Sequence, residues 1–120
     1  MMRRFEISAD VERGITVLRV AGELDAASVP DLELALDGDA PPNPVVIDLS
    51  NCEFIDSAGI AAIVEAWRSR EETGREADLS LAAPSGQVDR ILRITGLGTS
   101  ISVFPGVNEA LARSAVTPAG

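Results

Sequence analysis

Ser57 is the residue of this sequence whose type and position most favour covalent modification. It lies in the segment Phe54-Ile55-Asp56-Ser57-Ala58-Gly59-Ile60, between a run typical of a buried strand and an amphipathic helical pattern. A turn from strand to helix exposes its residues at one edge of a sheet. The first amides of a helix lack internal partners, and the helix dipole adds about half a positive charge. A phosphate on Ser57 would therefore be tolerated there.

The same residues also have a purely structural interpretation. Asp56 or Ser57 can be the N-cap of the following helix, a position that both residue types commonly occupy. The local pattern by itself favours this cap. The two interpretations are compatible, because phosphorylation would convert a capping hydroxyl into a group of about −1.5 to −2 charge.

Other residues that could carry chemistry are few. The chain has no histidine and no tyrosine, and Cys52 is its only cysteine. These absences remove the usual imidazole base, Ser-His and Cys-His nucleophiles, and any multi-cysteine metal site. Cys52 is predicted to be a small buried hydrophobe. Asp25, Asp48 or Asp56 could act as acid or base, but we expect no enzyme, no metal and no resident cofactor.

Length and composition favour one globular domain, predicted over residues 1–120 with a core at about 4–115. Hydrophobic residues make up 46% of the 120 residues and charged residues 24%. The net charge of −9 disfavours binding to nucleic acid or to an anionic membrane. The sequence has no signal-peptide pattern and no apolar run near the about 20 residues that span a bilayer, so we expect a cytoplasmic protein.

Strand-like and helical patterns alternate along the chain. Strands are predicted at 5–11, 15–20, 45–49, 79–82 and 101–104, and helices from a capping box at 28–31, from 56–59 to 73–74, from 84–85 to 96, and at 107–115. Residues 21–25, 39–44 and 50–55 are predicted as a turn and two loops. This order predicts an α/β fold with a mixed, mostly parallel sheet of about five strands and about four helices.

Four segments of the sequence resemble the STAS domain of bacterial anti-sigma factor antagonists, and together they span nearly the whole chain. Residues 56–60 are similar to the family's Asp-Ser-(Ser/Thr)-Gly-Leu phosphorylation motif, and residues 21–25 to its Gly-Glu-(Leu/Ile)-Asp turn. Residues 45–49 are similar to its Val-(Val/Ile)-(Leu/Val)-(Asp/Asn)-Leu strand, and residues 90–97 to its third-helix signature. The resemblance implies a single STAS domain.

The resemblance also implies a phosphorylation switch. In this family the unphosphorylated protein binds an anti-sigma factor that is itself a serine kinase, and thereby releases a sigma factor. Phosphorylation of the serine matching Ser57, with ATP supplied through the kinase, ends the binding, and a phosphatase restores it. The implied switch and partner-binding residues are Asp25, Asp56, Ser57, Ala58, Gly59 and Ile60. Ala58 departs from the family pattern, which has a second Ser or Thr there.

The sequence leaves an alternative function open. STAS domains also occur as structural or assembly subunits of transporters and stress-sensing complexes, where phosphorylation matters less. The identities of the sigma factor, kinase and phosphatase, the activating signal and the choice between monomer and weak dimer have no readable signal in the sequence.

Overall fold

Strands and helices alternate along the described part of the chain, which in this computed structural model comprises residues 5–37, 44–75 and 78–115. The strands are β1 (Glu6–Glu12), β2 (Ile15–Leu24), β3 (Val45–Ile55), β4 (Leu79–Ala82) and β5 (Ser102–Phe104). The α-helices are α1 (Val29–Asp37), α2 (Ser57–Glu71), α3 (Gly86–Thr95) and α4 (Val107–Ala115), with a short 3-10 helix at Leu97–Thr99. The predicted order of elements is confirmed. Most of the predicted loop at 39–44 lies outside the described residues.

The five strands form one mixed sheet in the order β1-β2-β3-β4-β5. β1 and β2 are an antiparallel hairpin, whereas β2, β3, β4 and β5 run parallel to one another. Each parallel pair is joined through a helix, as the geometry of parallel strands requires. The predicted α/β architecture is therefore confirmed, and the carboxyl ends of the four parallel strands lie at one edge.

The sheet is covered by helices on both faces. Buried side chains of α1, α2 and α3 share one core with Leu18, Ile47, Leu81 and other apolar residues of the sheet. A second, smaller cluster joins Ala110 and Leu111 of α4 to the opposite face. The start of β3 has no polar alternation because residues 45–49 are buried throughout, as predicted for a central strand.

Two strands are longer than the sequence predicts. Residues 50–55, predicted as a loop, continue β3, and residues 21–24, predicted as a turn, continue β2. The pairing of β2 with β3 shifts register between Arg19 and Ala21 and again between Gly22 and Glu23, each time with one extra residue on β3. Such bulges break the alternation by which a strand is recognised in sequence.

The predicted capping box at 28–31 is not formed. The Asp31 amide donates to the backbone carbonyl of Ser28, while the Ser28 hydroxyl accepts from the Asp25 amide at 2.9 Å and donates to the Glu23 carbonyl at 2.7 Å. Ser28 is buried, and its hydroxyl pairs with backbone groups of the tight turn after β2, which would otherwise lack a partner inside the protein.

Cys52 is buried, as predicted, and lies in the extended part of β3. Its side chain is 2% exposed, its Sγ donates to the Phe54 carbonyl at 3.4 Å, and burial raises the pKa of the thiol. A raised pKa means less thiolate at neutral pH, and the thiolate is the reactive species.

The Cys52 thiol should therefore react with a disulfide reagent such as DTNB only when the protein unfolds. We expect labelling at pH 7.5 to follow the urea unfolding curve, with little modification of the native protein. Rapid stoichiometric labelling in the absence of denaturant would contradict the buried position of Cys52.

Gly59 allows α2 to approach the ends of β2 and β3. A Cβ added there would lie 2.6 Å from the Leu24 carbonyl oxygen and 2.7 Å from Ile55 Cγ1. Both distances are shorter than any normal contact, and the carbonyl belongs to the paired backbone of the sheet. A side chain at position 59 would therefore push the start of α2 away from the sheet.

Gly59→Ala should lower the free energy of unfolding by about 1–3 kcal/mol, the usual cost of overpacking. This cost exceeds the gain of up to about 1 kcal/mol that alanine brings to a helix interior. Urea unfolding measures it, with Gly98→Ala as the control, because a Cβ there meets only Val103 Cγ2 at 3.7 Å. Equal stability of the two variants would disprove the close contact.

Candidate functional site

The carboxyl ends of β2 and β3 bring two of the predicted site segments together. Leu24 pairs with Ile55 in the parallel ladder, and the Asp56 amide donates to the Leu24 carbonyl at 3.3 Å. Asp25 directly follows the last residue of β2, and Asp56 directly follows the last residue of β3. The two aspartates therefore lie side by side along the edge of the sheet. The structure thus places Asp25 next to the start of α2.

Asp56 is the N-cap of α2. Its backbone is extended, and its Oδ1 accepts from the amides of Ala58 at 2.9 Å and Gly59 at 3.1 Å. Of the two caps that the sequence left open, the structure thus selects Asp56. Only the backbone amide of Ala58 takes part in this cap, so the absence of a side-chain hydroxyl at position 58 does not affect it.

Ser57 is the first residue of α2 and its side chain is exposed. Its hydroxyl has no hydrogen-bond partner among the described residues. Because Asp56 already caps the helix, the Ser57 hydroxyl has no role in holding the backbone. It is therefore accessible to solvent.

The three residues that follow Ser57 are less exposed than the serine. Gly59 is buried, and Ala58 and Ile60 are half-buried, with Ile60 packed against the main core. The exposed residues that precede Ser57 most closely are instead at the end of β3, where Glu53 is exposed and Phe54 is 38% exposed. The sequence did not single out Phe54 as a surface residue, because the bulge that turns it outward has no clear sequence signal.

Asp25 closes the turn before α1. Its Oδ1 accepts from the amides of Ala27 at 3.1 Å and Ser28 at 3.2 Å. Like Asp56, it uses its carboxylate to satisfy backbone amides after a strand. This edge of the sheet carries four carboxylates, those of Glu23, Asp25, Glu53 and Asp56. Acidic groups at an edge influence which partner or added phosphate it can accommodate.

Gln87 is a polar contact of this edge that the sequence analysis missed. Its side-chain amide accepts from the Ile55 amide at 3.0 Å and donates to the Ile55 carbonyl at 2.9 Å. The available signal was weak: a polar residue directly before the buried Val88, on an otherwise amphipathic helix. Gln87 ties the first turn of α3 to the residue that precedes Asp56.

Neither a metal-binding cluster nor a membrane-spanning helix occurs among the described residues. No three His, Cys, Asp or Glu side chains there are grouped so that they could hold a metal ion. No described helix is long and apolar enough to cross a membrane.

Comparison with known proteins identifies the family. The STAS domain model matches residues 6–110. The chain is 34% identical over 86 residues to the anti-sigma-B factor antagonist of Listeria monocytogenes, covering 70% of this chain and 74% of that protein. It is 29% identical over 100 residues to the anti-sigma-F factor antagonist RsfB of Mycobacterium tuberculosis, covering 82% and 80%.

A solved structure has the same architecture. The crystal structure of an anti-sigma factor antagonist from Mycobacterium paratuberculosis superposes with a TM-score of 0.82 at 27% identity, covering 92% of this chain and 94% of the other. Taken with the sequence matches, this likeness shows that the chain belongs to the STAS domain family of bacterial anti-sigma factor antagonists.

Proposed function

We propose that this protein is an anti-sigma factor antagonist whose binding is switched off by phosphorylation of Ser57. In its unphosphorylated form it binds a kinase-type anti-sigma factor and releases the sigma factor that the kinase holds. The kinase uses its own ATP to modify Ser57, and a phosphatase restores binding. The observation that carries the proposal is an exposed Ser57 hydroxyl, in the family's phosphorylation motif, with no role in capping α2.

The partner surface in this proposal is formed by Ser57 and the exposed end of β3. Phe54, three residues before Ser57 and 38% exposed, provides an aromatic contact in this surface, and aromatic residues are enriched at the centres of interfaces. A phosphate at the centre of such a contact must lose its hydration when the partner binds, which is costly unless the partner supplies opposite charge.

The direction of the switch follows from the charges at the sheet edge. The cap amides of Ala58 and Gly59 are already bonded to Asp56, so a phosphate on Ser57 cannot bond to them without displacing that carboxylate. Repulsion from the Asp56 carboxylate favours an outward position of the phosphate, towards the partner. The helix dipole still favours the anion locally, so binding should change while the fold is kept.

Phosphorylation of Ser57 should weaken binding to the anti-sigma factor by about 3–4 kcal/mol, or a few hundred-fold. Ser57→Ala should bind like the unmodified protein in the presence of ATP and resist inactivation. Ser57→Asp, with one negative charge, should bind at least about tenfold more weakly. Titration calorimetry with the anti-sigma kinase of the same organism measures these affinities.

The matched control is Ser69, an exposed serine on the same helix. It lies 12 residues after Ser57, about 18 Å along the helix axis. Ser69→Ala and Ser69→Asp make the same chemical changes away from the proposed surface and should leave the affinity unchanged. Equal affinity of Ser57→Ala and Ser57→Asp for the kinase would refute the switch.

The site of modification is tested directly by incubation with the kinase and ATP, followed by mass spectrometry of the peptides. We expect a single phosphate on Ser57 and none on Ser57→Ala. In Ala58→Ser, which restores the second hydroxyl of the family motif, the phosphate should remain on Ser57. Modification elsewhere in the wild-type chain would overturn the assignment.

The alternative function, a structural or assembly subunit of a transporter or stress-sensing complex, gives a different result in the same experiments. Ala58 is the feature that favours it, because the family motif is not complete there. A subunit of this kind would assemble equally well as wild type, Ser57→Ala and Ser57→Asp. Neighbouring genes for a transporter ATPase and permease, in place of a kinase and a sigma factor, would also support it.

A further inference from the structure

Gln87 takes the place of a missing strand residue beside the end of β3. β4 pairs with β3 only as far as Asp48 and Ala82, whereas β3 continues to Ile55. There the Gln87 Oε1 accepts from the Ile55 amide at 3.0 Å and the Nε2 donates to the Ile55 carbonyl at 2.9 Å. One side chain thus satisfies both backbone groups that a neighbouring strand would have paired.

The part of α3 that carries Gln87 is anchored in the core. The next residue, Val88, is fully buried, and Leu92 one turn later is 3% exposed. The Ile55 side chain is also fully buried, so neither end of the contact can move without disturbing the core. Gln87 itself is half-buried, and partial exclusion of water strengthens its hydrogen bonds.

Gln87 contacts β3 at Ile55, two residues before Ser57, and on the side of β3 opposite β2. On the β2 side, the Asp56 amide is bonded to the Leu24 carbonyl. On the α3 side, Ile55 is bonded to Gln87. Consecutive residues are therefore held from opposite directions, and the backbone enters α2 in a single orientation.

We infer that Gln87 is a positioning residue for Ser57, which fixes the end of β3 so that the serine and Phe54 are presented to a partner in one arrangement. The inference rests on the proposed function of Ser57. A surface that is ordered before binding avoids the entropic cost of ordering during binding. Loss of the Gln87 contact should therefore weaken recognition while the domain stays folded.

The test uses Gln87→Leu, which keeps much of the side chain's bulk but removes both hydrogen bonds. Amide hydrogen exchange of Ile55, measured by NMR on the full chain, reports the contact without any partner. We expect exchange to become at least about tenfold faster in Gln87→Leu. Ser85→Ala is the local control, since Ser85 is the N-cap of α3 but makes no side-chain capping bond.

Partner binding provides the second measurement. Affinity of the unphosphorylated chain for the anti-sigma kinase should fall about tenfold in Gln87→Leu. Ile63→Val controls for a general loss of stability, because Ile63 is fully buried in α2 and its side chain has no part in the two hydrogen bonds between Gln87 and Ile55. It should lower the urea midpoint but retain wild-type affinity.

The outcomes separate the two proposals. Wild-type exchange at Ile55, or an affinity of Gln87→Leu no weaker than that of Ile63→Val, would overturn the role of Gln87 and leave the Ser57 switch intact. If the wild-type protein neither binds the kinase nor is phosphorylated on Ser57, the proposed function is wrong, and the positioning role based on it is wrong too.

Discussion

The parallel pairing of β2 with β3, continued as far as Leu24 and Ile55, is the constraint on which the candidate site depends. β3 carries two extra residues within this pairing, and the bulges absorb them, so that both strands end together. The Leu24 carbonyl then accepts a hydrogen bond from the Asp56 amide. The same carbonyl leaves no space for a side chain at Gly59 of α2. The position of Ser57 is therefore set by backbone contacts within the sheet.

Acidic residues at this edge serve the fold before they serve any partner. Asp25 and Asp56 each accept two backbone amides where a strand turns into a helix, and loss of such a cap costs about 1 kcal/mol. Substitution of either residue would change stability and surface charge together. Ser57 differs from them because no described backbone group depends on its hydroxyl, so a change there removes no cap.

The order of elements and the position of Ser57 could be predicted from the sequence, because they depend on local periodicity and on a contiguous motif. The extended ends of β2 and β3 could not, since a bulge removes the alternation that marks a strand. The choice of Asp56 over Ser57 as the cap, and the contact of Gln87 with Ile55, depend on which backbone groups face one another in three dimensions. The sequence offers both caps without choosing between them, and it gives only a weak signal for Gln87.

The charge of the protein limits how the proposed switch can operate. The chain already carries a net charge of −9, so a basic partner would be attracted both before and after phosphorylation. The charge added by the phosphate is screened by salt at distances beyond the Debye length of about 8 Å. A phosphate that faced a cationic patch would strengthen the complex. Phosphorylation can therefore end binding only if Ser57 meets an apolar or acidic part of the anti-sigma factor, where desolvation and repulsion are uncompensated. The exposed Phe54, three residues before Ser57, favours the apolar case.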